Sequence, residues 1–251
     1  MLTTRTPLDA WVSGRKPKPQ ARHRLLCLPF AGGSASVFRL WPDSLSPEVD
    51  VWPIQYPGRE TRLREQPLRT MGAMVAALTE TLRPALDLPL AIFGHSMGAL
   101  IGFELARVLT AQGTPPTHLF VSAMRAPQLA DRQFHIHALP DAEFSEALRR
   151  LKGTPEPVLQ NAELMELFRP VLRADFALVE SYVYTAGAPL AVPIAAFGGQ
   201  ADDRVRPDEL QAWAAQTSAG FESHRVPGDH FFIRSAPQPV IQVIAQTLAA
   251  G

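Results

Sequence analysis

An α/β fold, with a mainly parallel central sheet flanked by helices, is the architecture this sequence predicts. Short apolar runs recur along the chain without the polar alternation of a half-exposed strand, as expected of strands covered on both faces. Longer segments with apolar residues at helical spacing separate them. Several of the runs also end in glycine turns, as in AGG, GHSMG and FGG.

HRLLCLPF (23–30) is the first strand, and VDVWPIQYP (49–57) the second, after an intervening VFRLWPDSL (37–45). TMGAMVAALTETLRPAL (70–86) has helical spacing, and LPLAIFGHS (88–96) is a short buried strand running into a turn. ALIGFELARVLTAQG (99–113) is a strong helix with Gly113 near its end. HLFVSAM (118–124) and VPIAAFGG (192–199) are further buried strands. ELQAWAAQT (209–217) reads as a helix, FESHRVPG (221–228) as the last strand and PQPVIQVIAQTLAAG (237–251) as the closing helix. One stretch breaks the rhythm. Residues 139–184 show helical spacing and no convincing strand. Phe144, Leu148 and Leu151 form one stripe there; Leu164, Leu167, Phe168, Val171 and Leu172 form another. Between two sheet strands a single crossover helix suffices, so the stretch predicts an inserted helical lid. The expected organisation is a polar lead-in at 1–20, a core at 21–130 and 188–251, and the lid at 131–187.

With 251 residues the chain can bury one sizeable core. Its 24 basic and 24 acidic residues cancel, which gives no support to a nucleic-acid surface or a broad steering field. No basic amphipathic stretch or long apolar run points to a membrane, and the start of the chain lacks the apolar centre of a signal peptide. A cytoplasmic location is the expectation. The single Cys27 excludes an internal disulfide and a multi-cysteine metal site, and its apolar neighbours suit a buried thiol better than a nucleophile. Trp11 is expected to tuck against the body, and Trp41, Trp52 and Trp213 to lie in or near the core.

GHSMG (94–98) falls between a short strand and a strong helix. G-x-S-x-G has physical meaning in that context. The sharp turn strains the serine backbone, the glycines remove side chains that would collide, and the hydroxyl projects above the carboxyl end of the sheet. Ser96 is therefore the candidate nucleophile. Its hydroxyl needs a base, and the base needs orientation. His95 adjoins Ser96 at a poor approach angle and reads as a packing or hydrogen-bonding residue. His23, His118, His135, His137 and His224 do not obviously converge on it. His230 follows the last strand on a loop able to return over the sheet's carboxyl edge. FGGQADDRV (197–205) ends another strand with two carboxylates, of which Asp202 has the better position and Asp203 is the near alternative. Asp229 reads as an organiser of its loop. The order Ser96, Asp202, His230 is that of an α/β-hydrolase.

LPFAGGSASVF (28–38) then poses a choice between a phosphate cradle and an oxyanion hole. A P-loop wants a lysine and a Ser or Thr closing its glycine turn, and a dinucleotide site wants G-x-G-x-x-G; both are missing. Beside a serine nucleophile, the backbone N–H of Ala31 suits one oxyanion donor, and that of Met97, directly after the nucleophile, the second.

At this point the chain resembles the type II thioesterases, stand-alone editing hydrolases that accompany modular polyketide and nonribosomal peptide synthases. The resemblance covers roughly residues 20 to 250 and rests on LPFAGG (28–33), QYPGRE (55–60), GHSMGA (94–99) and RAP (125–127). It continues through LRRLKGTPEPVL (148–159), ELMELFRPVLRADFALVESYVY (163–184), FGGQADD (197–203) and GDHFFI (228–233). The resemblance implies nucleophile, acid and base at Ser96, Asp202 and His230, and oxyanion donors at Ala31 and Met97. Asp203 departs from the proline that often follows the acid. The resemblance also implies a helical lid and no metal or other cofactor. Its implied substrates are acyl groups stalled on the phosphopantetheine arm of acyl or peptidyl carrier proteins. No nucleic-acid or membrane partner is expected, and the chain is expected to act as a monomer.

Rival readings share the fold. A chain-releasing or medium-chain acyl-carrier or acyl-CoA thioesterase would use the same three residues; a small-molecule carboxylesterase would favour oxygen esters; a binding module would lack turnover. The roughly twenty residues before the core are too short for a fused carrier domain, which favours action in trans. An aliphatic acyl pocket discriminates one methylene by only about 1–3 kcal/mol, so tolerance of short and medium chains is expected. Arg59 and Arg125 suit either a pantetheine phosphate, an acidic carrier surface or a structural ion pair. Glu180 and Tyr182 are expected to brace the lid through a hydrogen bond.

Overall fold

A computed structural model describes residues 6–129 and 135–250. The first five residues of the expected lead-in, and residue 131 where the insertion is expected to begin, lie outside the described residues. Thr6 and Asp9 cap one another at the start of a short helix, α1 (Pro7–Trp11). Trp11 is buried, and Val12 bridges Ile54 beside it. The sheet begins with β1 (His23–Leu28), and a short α2 (Trp41–Ser44) leads into β2 (Val49–Pro53). Thr70 caps α3 (Met71–Leu82), which returns the chain to β3 (Leu90–His95). β3 turns directly into α4 (Met97–Ala111), and β4 (His118–Ser122) follows.

Between β4 and β5 the described chain is helical: α5 (Asp141–Leu151), α6 (Glu156–Leu159) and α7 (Ala162–Glu180). The rest alternates: β5 (Ile194–Gly199), α8 (Pro207–Gln211), β6 (Phe221–Val226), a short α9 (Phe232–Ser235) and α10 (Gln238–Ala249). The expected helix over 209–217 is α8 followed by a 3-10 turn, where Trp213 enters the core and its Nε1–H donates to the Met124 carbonyl.

The strand order is β2-β1-β3-β4-β5-β6, with every pairing parallel. Strand side chains alternate between two apolar layers. Leu26, Ile92 and Leu119 face α3 and α4, whereas Leu25, Phe93 and Phe120 face α10. Cys27, Trp41, Trp52 and Trp213 are all buried. Only β6, at the edge, leaves Glu222, Ser223 and Arg225 in water.

The helical segment has an apolar cluster of its own, built on Ile136, Phe144, Leu148, Met165, Val171 and Leu172. Its second stripe differs from the expected one. Leu164 and Leu167 are 36% and 46% exposed, and Met165 occupies the core position instead. The buried face of α7 runs Met165, Leu172, Asp175, Leu178, a helical repeat shifted by one residue at its start.

Phe144→Ala should remove about 3–5 kcal/mol of packing from this separate cluster. Hydrogen exchange should then show faster amides in α5 and α7, with β3 and β4 unchanged. Uniform acceleration across the sheet would mean that the segment has no cluster of its own.

Candidate active site

Ser96 sits at the turn from β3 to α4 with φ 53 and ψ −118, a strained conformation for a residue with a side chain. Ser96 N–H donates to the Ser122 carbonyl (2.7 Å), and the Ser96 carbonyl accepts from Ala99 N–H (2.8 Å). The neighbouring glycines make the turn possible. A Cβ on Gly94 would stand 2.1 Å from the Gly98 carbonyl oxygen, and one on Gly98 would stand 2.1 Å from that of Leu28.

Two further loops reach the same edge. Asp202 follows β5, and its side chain is fully covered. His230 follows β6, on a loop whose backbone passes so close to Gly199 that a Cβ there would meet Asp229 O at 2.5 Å. The structure brings the three residues into one hydrogen-bonded chain. His230 Nδ1–H donates to Asp202 Oδ2 (3.0 Å), and the Ser96 hydroxyl donates to His230 Nε2 (3.1 Å). Asp202 Oδ1 accepts from the N–H groups of Arg204 (2.9 Å) and Val205 (3.4 Å). Burial opposes ionisation of Asp202, but its bond to His230 and these N–H donors outweigh it and hold the carboxyl below its ordinary pKa. A carboxylate on Nδ1 fixes the tautomer that leaves Nε2 free to accept a proton. Such an arrangement can activate a hydroxyl nucleophile and store its proton.

Asp203 is exposed and stays off His230, while Asp229 Oδ1 accepts from Phe231 N–H (2.8 Å) and organises the loop. His95, fully buried, is a hydrogen-bonding residue. Its Nε2 faces the His230 carbonyl (2.9 Å), which only accepts, so Nε2 carries the proton and Nδ1 accepts from the Ser122 hydroxyl (2.8 Å). Burial, reinforced by nearby His230, pushes the His95 pKa well below its ordinary value and keeps the ring neutral.

Met97 opens α4, where a helix N–H has no intrahelical acceptor. Ala31 lies in the turn after β1, beside the Ser96 turn because Leu28 pairs with Gly94. Among the described residues the Ala31 N–H has no acceptor. A cavity of about 860 Å³ opens at Ser96 and His230. Its apolar wall includes Met124, Ile136, Leu139, Leu151, Phe176 and Val179, all of them from the chain between β4 and β5. Arg125 lines both this cavity and a smaller one of about 380 Å³ next to it.

Arg59 is 4% exposed and binds Asp175 through two bonds, which matches the structural ion pair among the three readings open to it. Glu180 accepts from the N–H groups of Ile136 and His137 and from the His137 ring, while the Tyr182 hydroxyl donates to Glu104. The sequence marks Asp175 by one signal alone, a carboxylate on the apolar face of a helix, between Leu172 and Leu178. Among the described residues there is no cluster suited to a metal ion, and no helix long and apolar enough to cross a membrane.

Residues 23–248 match the family described as Thioesterase domain. The chain is 42% identical to the gramicidin S biosynthesis protein GrsT of Aneurinibacillus migulanus, covering 98% of this chain and 97% of that protein. The structure of the type II thioesterase BorB from the borrelidin biosynthetic cluster matches with a TM-score of 0.87 at 37% identity, over 97% of this chain and 99% of that one. YbtT, the type II thioesterase of the yersiniabactin NRPS/PKS pathway, matches with a TM-score of 0.82 at 33% identity, over 92% and 94%.

The neutral His95 carries a stability consequence. The unfolded chain binds a proton on this histidine below pH ~6.5, and the folded chain does not. The His95 contribution is therefore complete above that pH and is lost as pH falls, by up to about 1.4 kcal/mol per pH unit. Urea unfolding at pH 7.5, 6 and 5 should show a shallower loss in His95→Gln than in the parent. Equal slopes would contradict a neutral buried His95. His118, whose pKa burial also lowers, is common to both proteins and cancels.

Proposed function

This chain belongs to the thioesterase domain family and is a thioesterase of the type II kind, and on that premise we propose that it hydrolyses acyl groups from the phosphopantetheine arm of carrier proteins. The observation that carries the proposal is the chain Ser96–His230–Asp202 opening onto a large apolar cavity. Ser96 Oγ attacks the thioester carbonyl as His230 Nε2 takes its proton, and Asp202 stabilises the imidazolium that forms. The N–H groups of Ala31 and Met97 receive the negative oxygen, each such donor contributing about 3–4 kcal/mol to the transition state.

Collapse of the tetrahedral intermediate expels the pantetheine thiolate, which takes a proton from His230 and leaves an ester on Ser96. His230 then draws a proton from water, the hydroxide attacks the ester, and the free acid departs as Ser96 recovers its proton. The cavity accommodates the acyl group, and the segment between β4 and β5 acts as its lid. The partners on this reading are acyl or peptidyl carrier domains of a modular synthase. The biological role is editing, the return of a blocked carrier to its free thiol.

The test compares one short acyl group on a phosphopantetheinylated carrier and on coenzyme A. A much higher kcat/KM on the carrier is expected, falling by about 10⁴–10⁶ in Ser96→Ala. Equal or better turnover of coenzyme A would replace carrier editing by general acyl-CoA hydrolysis. In Asp202→Asn, which reverses the tautomer preference of His230, kcat should fall about 10⁴-fold at neutral pH with KM little changed. Parental kcat in that variant would remove Asp202 from the mechanism.

A further inference from the structure

The turn after β1 is held from outside the sheet by a buried ion pair. Asp175 on α7 is 0% exposed, and Arg59 is 4% exposed. Their bonds run from Nη1 to Oδ2 and from Nη2 to Oδ1, both 2.7 Å. Each partner also grips the turn. Asp175 Oδ2 accepts Gly32 N–H at 2.7 Å, and Arg59 Nη1 donates to the Gly33 carbonyl at 3.0 Å. Gly33 N–H in turn donates to the Phe30 carbonyl at 2.8 Å.

That last bond reaches the proposed oxyanion donor. Phe30 C=O and Ala31 N–H belong to one planar trans peptide and point in opposite directions. Holding the Phe30 oxygen therefore aims the Ala31 N–H. Packing reinforces the hydrogen bonds. Gly32 has φ +77, and a Cβ there would stand 2.6 Å from Leu172 Cδ2, so α7 lies directly against the turn.

We propose that Asp175, together with Arg59, is a positioning residue for the oxyanion donor at Ala31, so that α7 sets the competence of the site as well as walling its cavity. The proposal rests on the reading of Ala31 N–H as an oxyanion donor. Its consequence is coupling: a displacement of α7 that breaks the Asp175 bonds also frees the turn, and the site loses one donor while Ser96, His230 and Asp202 stay in place.

The test compares butyryl-coenzyme A with its dithioester, in which sulfur replaces the carbonyl oxygen. A hole shaped for oxygen favours the oxygen substrate, and a loosened hole favours it less. The parent should prefer oxygen strongly. Asp175→Ala should lower kcat on the thioester about 10²-fold, the effect of losing one oxyanion donor, and reduce the oxygen preference with it, while KM stays nearly constant. Asp175→Asn, which keeps an oxygen for Gly32 N–H, should restore much of both. The double variant Arg59→Gln with Asp175→Asn leaves no unpaired buried charge and serves where a single variant folds poorly. Folded variants with parental kcat and parental oxygen preference would overturn the role of Asp175 alone. A parent that shows no preference for oxygen would overturn the oxyanion reading and this proposal together.

Discussion

Ser96 occupies a backbone conformation that costs roughly 1–3 kcal/mol, and the whole carboxyl edge of the sheet is registered to it. β4 takes its N–H through Ser122, and the first turn of α4 takes its carbonyl through Ala99. Gly94 and Gly98 let β3, α4 and β1 approach until no side-chain carbon fits between them. The turn carrying Ala31 is consequently a neighbour of the serine. His95, the residue just before it, holds the backbone of His230 through a neutral ring. One strained residue thus fixes the places of the proposed nucleophile and base and of both candidate donors.

Polarity around this point runs in one direction. Asp202 is an ionised acceptor held by two backbone N–H groups, which places the proton of His230 on Nδ1 and leaves Nε2 facing the hydroxyl. His95 repeats the logic in the layer beneath, donating to the His230 carbonyl and accepting from Ser122. Neither histidine needs to move to take part. The Arg59–Asp175 pair extends the same kind of constraint to the turn after β1, from a helix that belongs to the segment between β4 and β5.

The parallel sheet was legible because doubly covered strands leave continuous apolar runs such as LLCL and LAIF. The serine turn was legible because strand, G-x-S-x-G and helix stand in unbroken succession. Asp202 and His230 could be singled out since each follows a strand in a glycine turn, and the structure brings both to Ser96. What stayed hidden depends on contacts between distant segments. Met165 rather than Leu164 joins the buried cluster formed with Phe144, Leu148 and Leu159 from α5 and α6, and helical spacing accommodates either. Asp175 meets Arg59 across 116 residues of chain, and no local pattern announces such a pair. The segment 209–217 reads as one helix by spacing, yet the anchoring of Trp213 on Met124 tightens its second half.

The most direct measurement is to quench the enzyme with acid during turnover of an acyl thioester and locate the acyl group by peptide mass mapping. Attack by the strained serine requires thiol release ahead of acid release, with the acyl mass on Ser96. An acyl group found on any other side chain, or steady thiol release from Ser96→Ala at the parental rate, would contradict it.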